Sequence, residues 1–347
     1  MPNDHRKNKR QASISLFVLK LAALSISAMA GSFYATDRWF AYQAHVKQGT
    51  TSAVGQSVAS APISLTMPAE PPVEAPGEAD LLNPNDPITT VRDRKDGVPF
   101  TIVEGGTAGT RRSAVRVAVE DIVQESGAKA GLNGTFFANA SLNGTDNLLI
   151  GPSICGDESS PTFSPFDKRK ELNGRPMVLM AANRTKIVPY DSTNLDDESG
   201  LRSSLPGMTD AFLGGVWLVH HGVPVNEDNI DQFNVKDAED PRRRAFFVLL
   251  PDGRPGLGAT TYVASSSKLA EALADAGVRE AVLLDSGFST SLVDDGKVLV
   301  TGHTAPGIPS RPVPHAIVLF DTHPADSRLA RLPNGRQPAP ASRPSGV

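Results

Sequence analysis

Cysteine is almost missing from this 347-residue chain: Cys155 is the single one. A lone cysteine excludes an intrachain disulfide, a cysteine-rich zinc site and CxxC redox chemistry. An excess of either charge is also missing. Lys and Arg number 34 against 38 Asp and Glu, a net charge of −4. That excludes the clustered basic surplus of a nucleic-acid binder, so no nucleic-acid partner is expected. No HExxH occurs, and Gly105 to Gly109 and Gly256-Leu-Gly258 fall short of phosphate-loop or dinucleotide fingerprints. No internal repeat of fixed period is present. What the chain does have is an ordinary apolar content of 39%, with 30 Gly and 28 Pro unevenly spread. At roughly 150 residues per domain the length alone suggests two domains.

The ends change that expectation. His5, Arg6, Lys7, Lys9 and Arg10 make a basic start, and an apolar run from Ile14 to Phe33 follows, interrupted by Lys20. Ala28-Met29-Ala30 has the small-x-small form of a cleavage site, completing the order of an export signal. An uncleaved membrane anchor through residues 14–33 fits as well, because the run approaches the ~20 residues needed to span. Trp39, Phe40 and Tyr42 then follow it like an interfacial belt. Either way the chain is expected to be exported, to the periplasm or the extracellular side. From Gly49 to Thr90 there is no Lys or Arg, seven prolines recur between acidic residues, and no structural period persists. This composition reads as an extended acidic linker. The expected organisation is a signal peptide or anchor (1–33), a Pro-rich linker (34–90), one folded domain (91–322) and a disordered Pro-rich tail (323–347). An exported domain of that size can build a core without disulfide staples.

Within 91–322, alternation predicts strands at Val98–Val103, Ala128–Leu132, Met177–Met180 with Thr185–Pro189, Ala211–Val219, Arg244–Leu250, Ala281–Leu284, Ser289–Val293 with Lys297–Val300, and His315–Phe320. Asp294-Asp-Gly296 is a strong hairpin turn. Helical spacing predicts a helix capped by Ser113 and running to Gln124, and another capped at Ser265–Ser267 and stopped by Gly277. Strands outnumber helices and neighbours are mostly hairpins. The expected class is α+β, a single domain with a largely antiparallel or mixed sheet and flanking helices.

Several residue groups have chemistry to offer. In Leu284-Asp-Ser-Gly-Phe-Ser-Thr-Ser-Leu-Val293 an acid ends a buried strand, a glycine permits a tight turn, and three hydroxyls follow. That suits a carboxylate beside an anion cradle, or an ordinary turn in which Asp285 bonds its own backbone. Asp285 also suits a hard divalent cation, although the sequence requires no cofactor. Gly287-Phe-Ser289-Thr-Ser291 lies one residue from a nucleophile elbow, but a strand rather than the required helix follows. Asn133-Gly-Thr-Phe-Phe137 offers an amide for a sugar and aromatic rings to stack on it, or simply a turn with two core phenylalanines. Arg242-Arg-Arg244 before a buried strand is either a phosphate fork or a solvated charge run. His220 and His221 are adjacent on a strand, so they are expected to face opposite ways and not to share a metal.

Taken in order, these blocks resemble the phosphodiester glycosidase family. The family's Asn-Gly-Gly-Phe-Phe is similar to Asn133-Gly134-Thr135-Phe136-Phe137. Its Gly-Gly-x-x-Leu is similar to Gly214-Gly215-Val216-Trp217-Leu218, and its Arg-Thr-Ala to Arg243-Arg244-Ala245. Its helix with Leu-Ala and a final glycine resembles Leu269 to Gly277. Its Leu-Asp-Gly-Gly-Gly-Ser-Thr-Thr-Leu resembles Leu284 to Leu292, and its closing Arg-x-Val-x-Asn-Ala resembles Arg311 to Ala316. Ser286, Phe288, Thr135, Arg244 and His315 are departures from those patterns. The resemblance implies hydrolysis of the bond between a sugar C1 and a phosphodiester oxygen. The substrate would be a glycan or sugar phosphate carrying an N-acetylglucosamine-like group. It assigns Asp285 the carboxylate role, with Arg243, or Arg311 as second candidate, holding phosphate. Ser289, Thr290 and the Gly287 backbone complete the cradle, and Asn133, Gly134, Phe136, Gly215 and His315 border the substrate. Two other functions remain open: a non-catalytic envelope glycan or phospho-polymer binding protein on the same scaffold, and a serine hydrolase using Ser289.

Overall fold

The computed structural model describes residues 87–138, 147–156, 166–233, 235 and 237–321. The export or anchor segment, the linker through residue 86 and the tail from 322 lie outside the described residues. Among the described residues no helix is long and apolar enough to cross a membrane.

In chain order, β1 (Thr89–Lys95), β2 (Val98–Glu104) and β3 (Thr107–Val117) lead into helix α1 (Val119–Ser126) and β4 (Ala130–Asn133). After β5 (Ser153–Ile154) come the hairpin β6 (Pro176–Ala181) and β7 (Arg184–Pro189), helix α2 (Glu198–Ser204) and β8 (Met208–Leu213). Then β9 (Trp217–His220), β10 (Val223–Pro224) and helix α3 (Glu227–Asp231) precede β11 (Ala245–Leu249) and β12 (Pro255–Thr260). Helix α4 (Ser266–Asp275), β13 (Glu280–Leu283), β14 (Ser291–Asp294), β15 (Lys297–Thr301) and β16 (Val313–Phe320) complete the set.

The strands form three sheets, ordered β1-β2-β12-β11-β13-β9-β10, β15-β14-β4-β16-β3 and β5-β8-β6-β7. Every pairing among the described strands is antiparallel. The architecture is therefore mainly β with few helices, which corrects the expected α+β class.

Three local corrections explain the difference. Ser113 caps nothing: β3 continues to Val117 because its residues pair with β16, Arg112 opposite His315 and Val117 opposite Val313. A long-range ladder has overridden a weak local capping signal, and α1 starts after Ala118 without a side-chain cap. The expected single strand Ala211–Val219 is two strands in different sheets. Gly214 and Gly215 carry the chain between them, with Gly214 N–H on the Pro176 carbonyl at 2.8 Å and Gly215 N–H on the Leu283 carbonyl at 2.9 Å. β12 is a strand that the local pattern does not predict. A Cβ on Gly256 would stand 2.7 Å from Val248 and 2.9 Å from Ile102, so glycine is what lets this strand lie between large neighbours.

The central strands bury both faces, as their unbroken apolar runs imply. In β11, Phe246 and Val248 enter a core with Leu269, Ala270 and Leu273 of α4. The alternate residues Ala245, Phe247 and Leu249 enter a second core with Leu132, Leu292, Ile317 and Leu319 of the five-stranded sheet. In β16, Ile317 and Leu319 face that second core while Ala316, Val318 and Phe320 meet Val119, Ile122 and Val123 of α1. The order of layers is thus α4, seven-stranded sheet, five-stranded sheet, α1. The segment 284–290 passes from the first sheet to the second, and the candidate site is built on that crossing.

Candidate functional site

β13 is followed by Leu284, whose N–H bonds the Ala245 carbonyl at 2.9 Å, and Asp285 comes next, just past the C-terminal end of this interior strand. Asn133, the last residue of β4, clamps both ends of the following segment. Its Nδ2 donates to the Asp285 carbonyl at 2.5 Å, and its Oδ1 accepts from Ser291 N–H at 3.0 Å. Between the clamped ends the chain makes one tight helical turn, Gly287–Ser289. Gly287 sits at φ 67°, a left-handed conformation that suits glycine. The Arg243 carbonyl holds this turn, accepting from Gly287 N–H at 2.8 Å and from Thr290 Oγ1 at 3.0 Å. Ser286 Oγ donates to the Leu284 carbonyl at 2.9 Å.

Out of this frame Asp285 projects into a closed ring of polar contacts. Ser289 Oγ donates to Asp285 Oδ2 at 2.5 Å, Arg311 Nη2 donates to the same oxygen at 2.9 Å, and Arg311 Nε reaches Ser289 Oγ at 2.6 Å. Burial pushes the Asp285 carboxyl above the usual carboxylate range, while the Arg311 charge and the Ser289 hydroxyl pull it the other way. Arg311 is anchored by its own N–H on the Phe288 carbonyl at 2.8 Å, and its guanidinium lies 5.0 Å from the Phe137 ring centre. Arg116 lies on the same ring at 4.7 Å. The side chain of Asp285 is 12% exposed and that of Arg311 37%, so a ligand meets the cluster from the arginine side. The half-exposed Arg311 guanidinium at the opening suits an anionic group.

The other expected site residues fall into different places. The Arg243 guanidinium turns to the Thr301 carbonyl at 2.7 Å rather than to Asp285, and its Nε is buried without a partner among the described residues. Arg244 is buried and donates to the backbone carbonyls of Ala264, Asp237, Ala238 and Asp240. Burial lowers its pKa to about 10. Asn133 is fully buried, its amide engaged within the protein. His315 is buried beneath Gly134: its carbonyl accepts from Gly134 N–H at 2.8 Å and its Nδ1 from Thr135 N–H at 3.2 Å. A Cβ on Gly134 would strike that imidazole. Thr135 Oγ1 bonds the Leu213 carbonyl, and Phe136 closes over Gly215, where a Cβ would strike its ring. Phe288 is 62% exposed and stacked on His303, ring centres 4.7 Å apart. It fills neither the core nor the Asp285 ring.

Arg116, Phe137 and Ser310 were absent from the expected set. Ser310 Oγ bonds the Thr290 carbonyl at 2.6 Å and receives Gly302 N–H at 3.0 Å, fixing the approach to Arg311. Phe137 had a signal in the Asn133–Phe137 block. Arg116 had none, because only the β3–β16 pairing brings it near. Ser289 has a carboxylate and a guanidinium as partners, not an imidazole, and β14 rather than a helix follows, so the serine hydrolase arrangement is not assembled here.

The histidine pair departs from expectation too. His221 adopts φ 52°, which breaks the strand alternation. Both imidazoles consequently converge on Glu280, His220 Nδ1 at 2.8 Å from Oε2 and His221 Nδ1 at 3.2 Å from Oε1.

No family model and no curated protein matches the sequence. Among solved structures, the fold has a distant likeness to the zebrafish N-acetylglucosamine-1-phosphodiester alpha-N-acetylglucosaminidase catalytic domain, auto-inhibited by its pro-peptide. Identity is 15%, the alignment covers 68% of this chain and 82% of that one, and the TM-score is 0.48. A hypothetical protein from Synechocystis aligns at 15% identity over 67% of this chain and 61% of its own, with a TM-score of 0.45. An exported protein from Burkholderia pseudomallei aligns at 13% identity over 65% and 74%, with a TM-score of 0.43.

Proposed function

We propose that this chain is an exported hydrolase that removes an N-acetylglucosamine-like sugar from a phosphodiester-linked glycan or cell-envelope polymer. The observation that carries the reading is the ring Asp285–Ser289–Arg311: one nearly buried carboxylate held beside a half-exposed guanidinium. Cleaving a glycosidic bond passes through an oxocarbenium-like state. In this reaction the C1–O bond breaks, the phosphate oxygen leaves with the electron pair, and water forms the new bond to C1, its released proton passing to Asp285 and on to solvent. A phosphate leaving group needs little protonation, so a single carboxylate is chemically sufficient. Asp285 opposes the positive charge growing at C1 or orients the water. Arg311 neutralises the departing phosphate, a group its planar fork fits. Ser289, bonded to both, fixes their spacing. The basic and apolar N-terminus supports export.

The test is turnover of a panel of sugar-1-phosphodiesters, N-acetylglucosamine included, with and without chelator. The expected outcome is hydrolysis by the wild type and a rate at least about 10²-fold lower in Asp285→Asn, the usual cost of losing a positioned charged group. An Asp285→Asn protein that folds normally and keeps the wild-type rate overturns the assignment. The ring is already internally satisfied, which favours a second reading as a glycan binder. Saturable binding by the wild type without turnover would establish that one instead.

A further inference from the structure

At the far end of β13 from Asp285 lies a second constellation that the proposed hydrolysis does not use. We infer that His220, His221 and Glu280 form a binding site for a single zinc-class divalent cation. Their three ligand atoms all lie within 4.8 Å of one another. Tetrahedral zinc holds nitrogen and oxygen ligands at about 2.0–2.2 Å, which separates them by roughly 3.4 Å. The nitrogen–oxygen distances here are 2.8 Å from His220 to Oε2 and 3.2 Å from His221 to Oε1, so the cluster opens by roughly 0.2–0.6 Å to admit the ion. Two imidazoles and a carboxylate are the ligand set of a borderline metal rather than of calcium or magnesium, which prefer oxygen.

The local structure is arranged for convergence. Glu280 is the first residue of β13 and is buried, and its Oε1 also accepts from His221 N–H at 3.0 Å, which fixes the carboxylate. His220 is packed against Trp217, ring centres 4.2 Å apart, which fixes that imidazole. His221 joins them only because it takes a left-handed conformation, uncommon for a residue other than glycine. A cavity of about 330 Å³ opens beside it, lined by His221, Gly222, Val278 and Arg279 among others. It admits solvent to the His221 side of the cluster. The bound ion would tie the β9–β10 turn to β13. Five residues of extended chain separate Glu280 from Asp285, about 16 Å, so the two sites can be tested independently.

The experiment titrates the untagged, metal-free full chain with Co²⁺, read by its visible absorption, and with Zn²⁺, read calorimetrically and by thermal shift. One equivalent of each ion is expected, with a tetrahedral Co²⁺ spectrum and a raised Tm with Zn²⁺. His221→Asn keeps a residue that tolerates positive φ, so the fold is preserved, and should weaken binding at least about tenfold, the least that ligand-shell losses cost. His220→Ala should do the same, while His303→Ala should leave affinity unchanged. No stoichiometric binding by the wild type, or unchanged affinity in the His220→Ala/His221→Asn double variant, overturns the inference.

Discussion

His315 gives a sharp pH prediction. It is fully enclosed, accepts Thr135 N–H at Nδ1, and its Nε2 has no partner among the described residues. An imidazole that accepts at Nδ1 carries its proton on Nε2 and is neutral. Burial, with a smaller push from Arg112, lowers its pKa from 6.5 to about 3. A depressed pKa contributes stability that is present above 6.5 and is lost as pH falls toward 3, because the unfolded chain takes up the proton first. From about pH 7.5 to about pH 5 the unfolded imidazole becomes almost wholly charged while the folded one stays neutral, which integrates to about 2 kcal/mol of lost stability. Asp285 runs the other way: its raised pKa contributes stability at low pH that is lost as pH rises. The two are separated by comparing wild type with His315→Asn, whose amide oxygen can still accept Thr135 N–H. Denaturant unfolding at both pH values should show the variant losing about 2 kcal/mol less than wild type over that interval. Equal losses in the two proteins, or an NMR titration of His315 near its ordinary value, would refute the reasoning.

Other outcomes follow from the same contacts. Asn133→Ala leaves the Asp285 carbonyl and Ser291 N–H without their partner, at about 1–3 kcal/mol each. Its unfolding midpoint should fall, and turnover should fall with it. Arg244→Met removes a buried guanidinium from four carbonyls and should lower stability in chemical denaturation by about 1–3 kcal/mol for each carbonyl left without a donor. Arg311→Lys keeps the charge but not the fork that reaches both Ser289 and Asp285, so steady-state kinetics should show kcat down with the fold intact by circular dichroism.

Much of the strand inventory could be read locally. β2, β6, β7, β11, β13, β15 and α4 appear where alternation, the Ser265 cap and the Gly277 stop put them. The failures have one physical source, which is dependence on partners distant in the chain. Ser113 looks like a cap until Arg112 and Val117 on either side of it pair with β16, and the strand through Gly256 and Gly258 shows only when Val248, Ile102 and Phe246 are seen against it. The candidate site behaves in the same way. The Asp285–Ser289 pair is four residues apart, and the local pattern named both. The arginine beside them is Arg311, 26 residues away, rather than Arg243, whose main-chain carbonyl serves the turn instead. His220 and His221 were assigned opposite faces by a period of two that holds only while φ stays negative.

Asn133 reaches across from a neighbouring strand and grips the segment 285–291 at its two ends, while the carbonyl of Arg243 supports its middle. The position of the carboxylate is thereby decoupled from the side chains that lie between. Phe288 points to solvent, whereas Ser286 Oγ spans two strands, donating to the Leu284 carbonyl and accepting from Ala245 N–H at 3.3 Å. The side chain at 288 is therefore outside the grip on Asp285, while the hydroxyl at 286 is part of the link between the loop and β11. Within this frame Asn133 is the position on which the loop depends most, because one amide holds both of its ends at once.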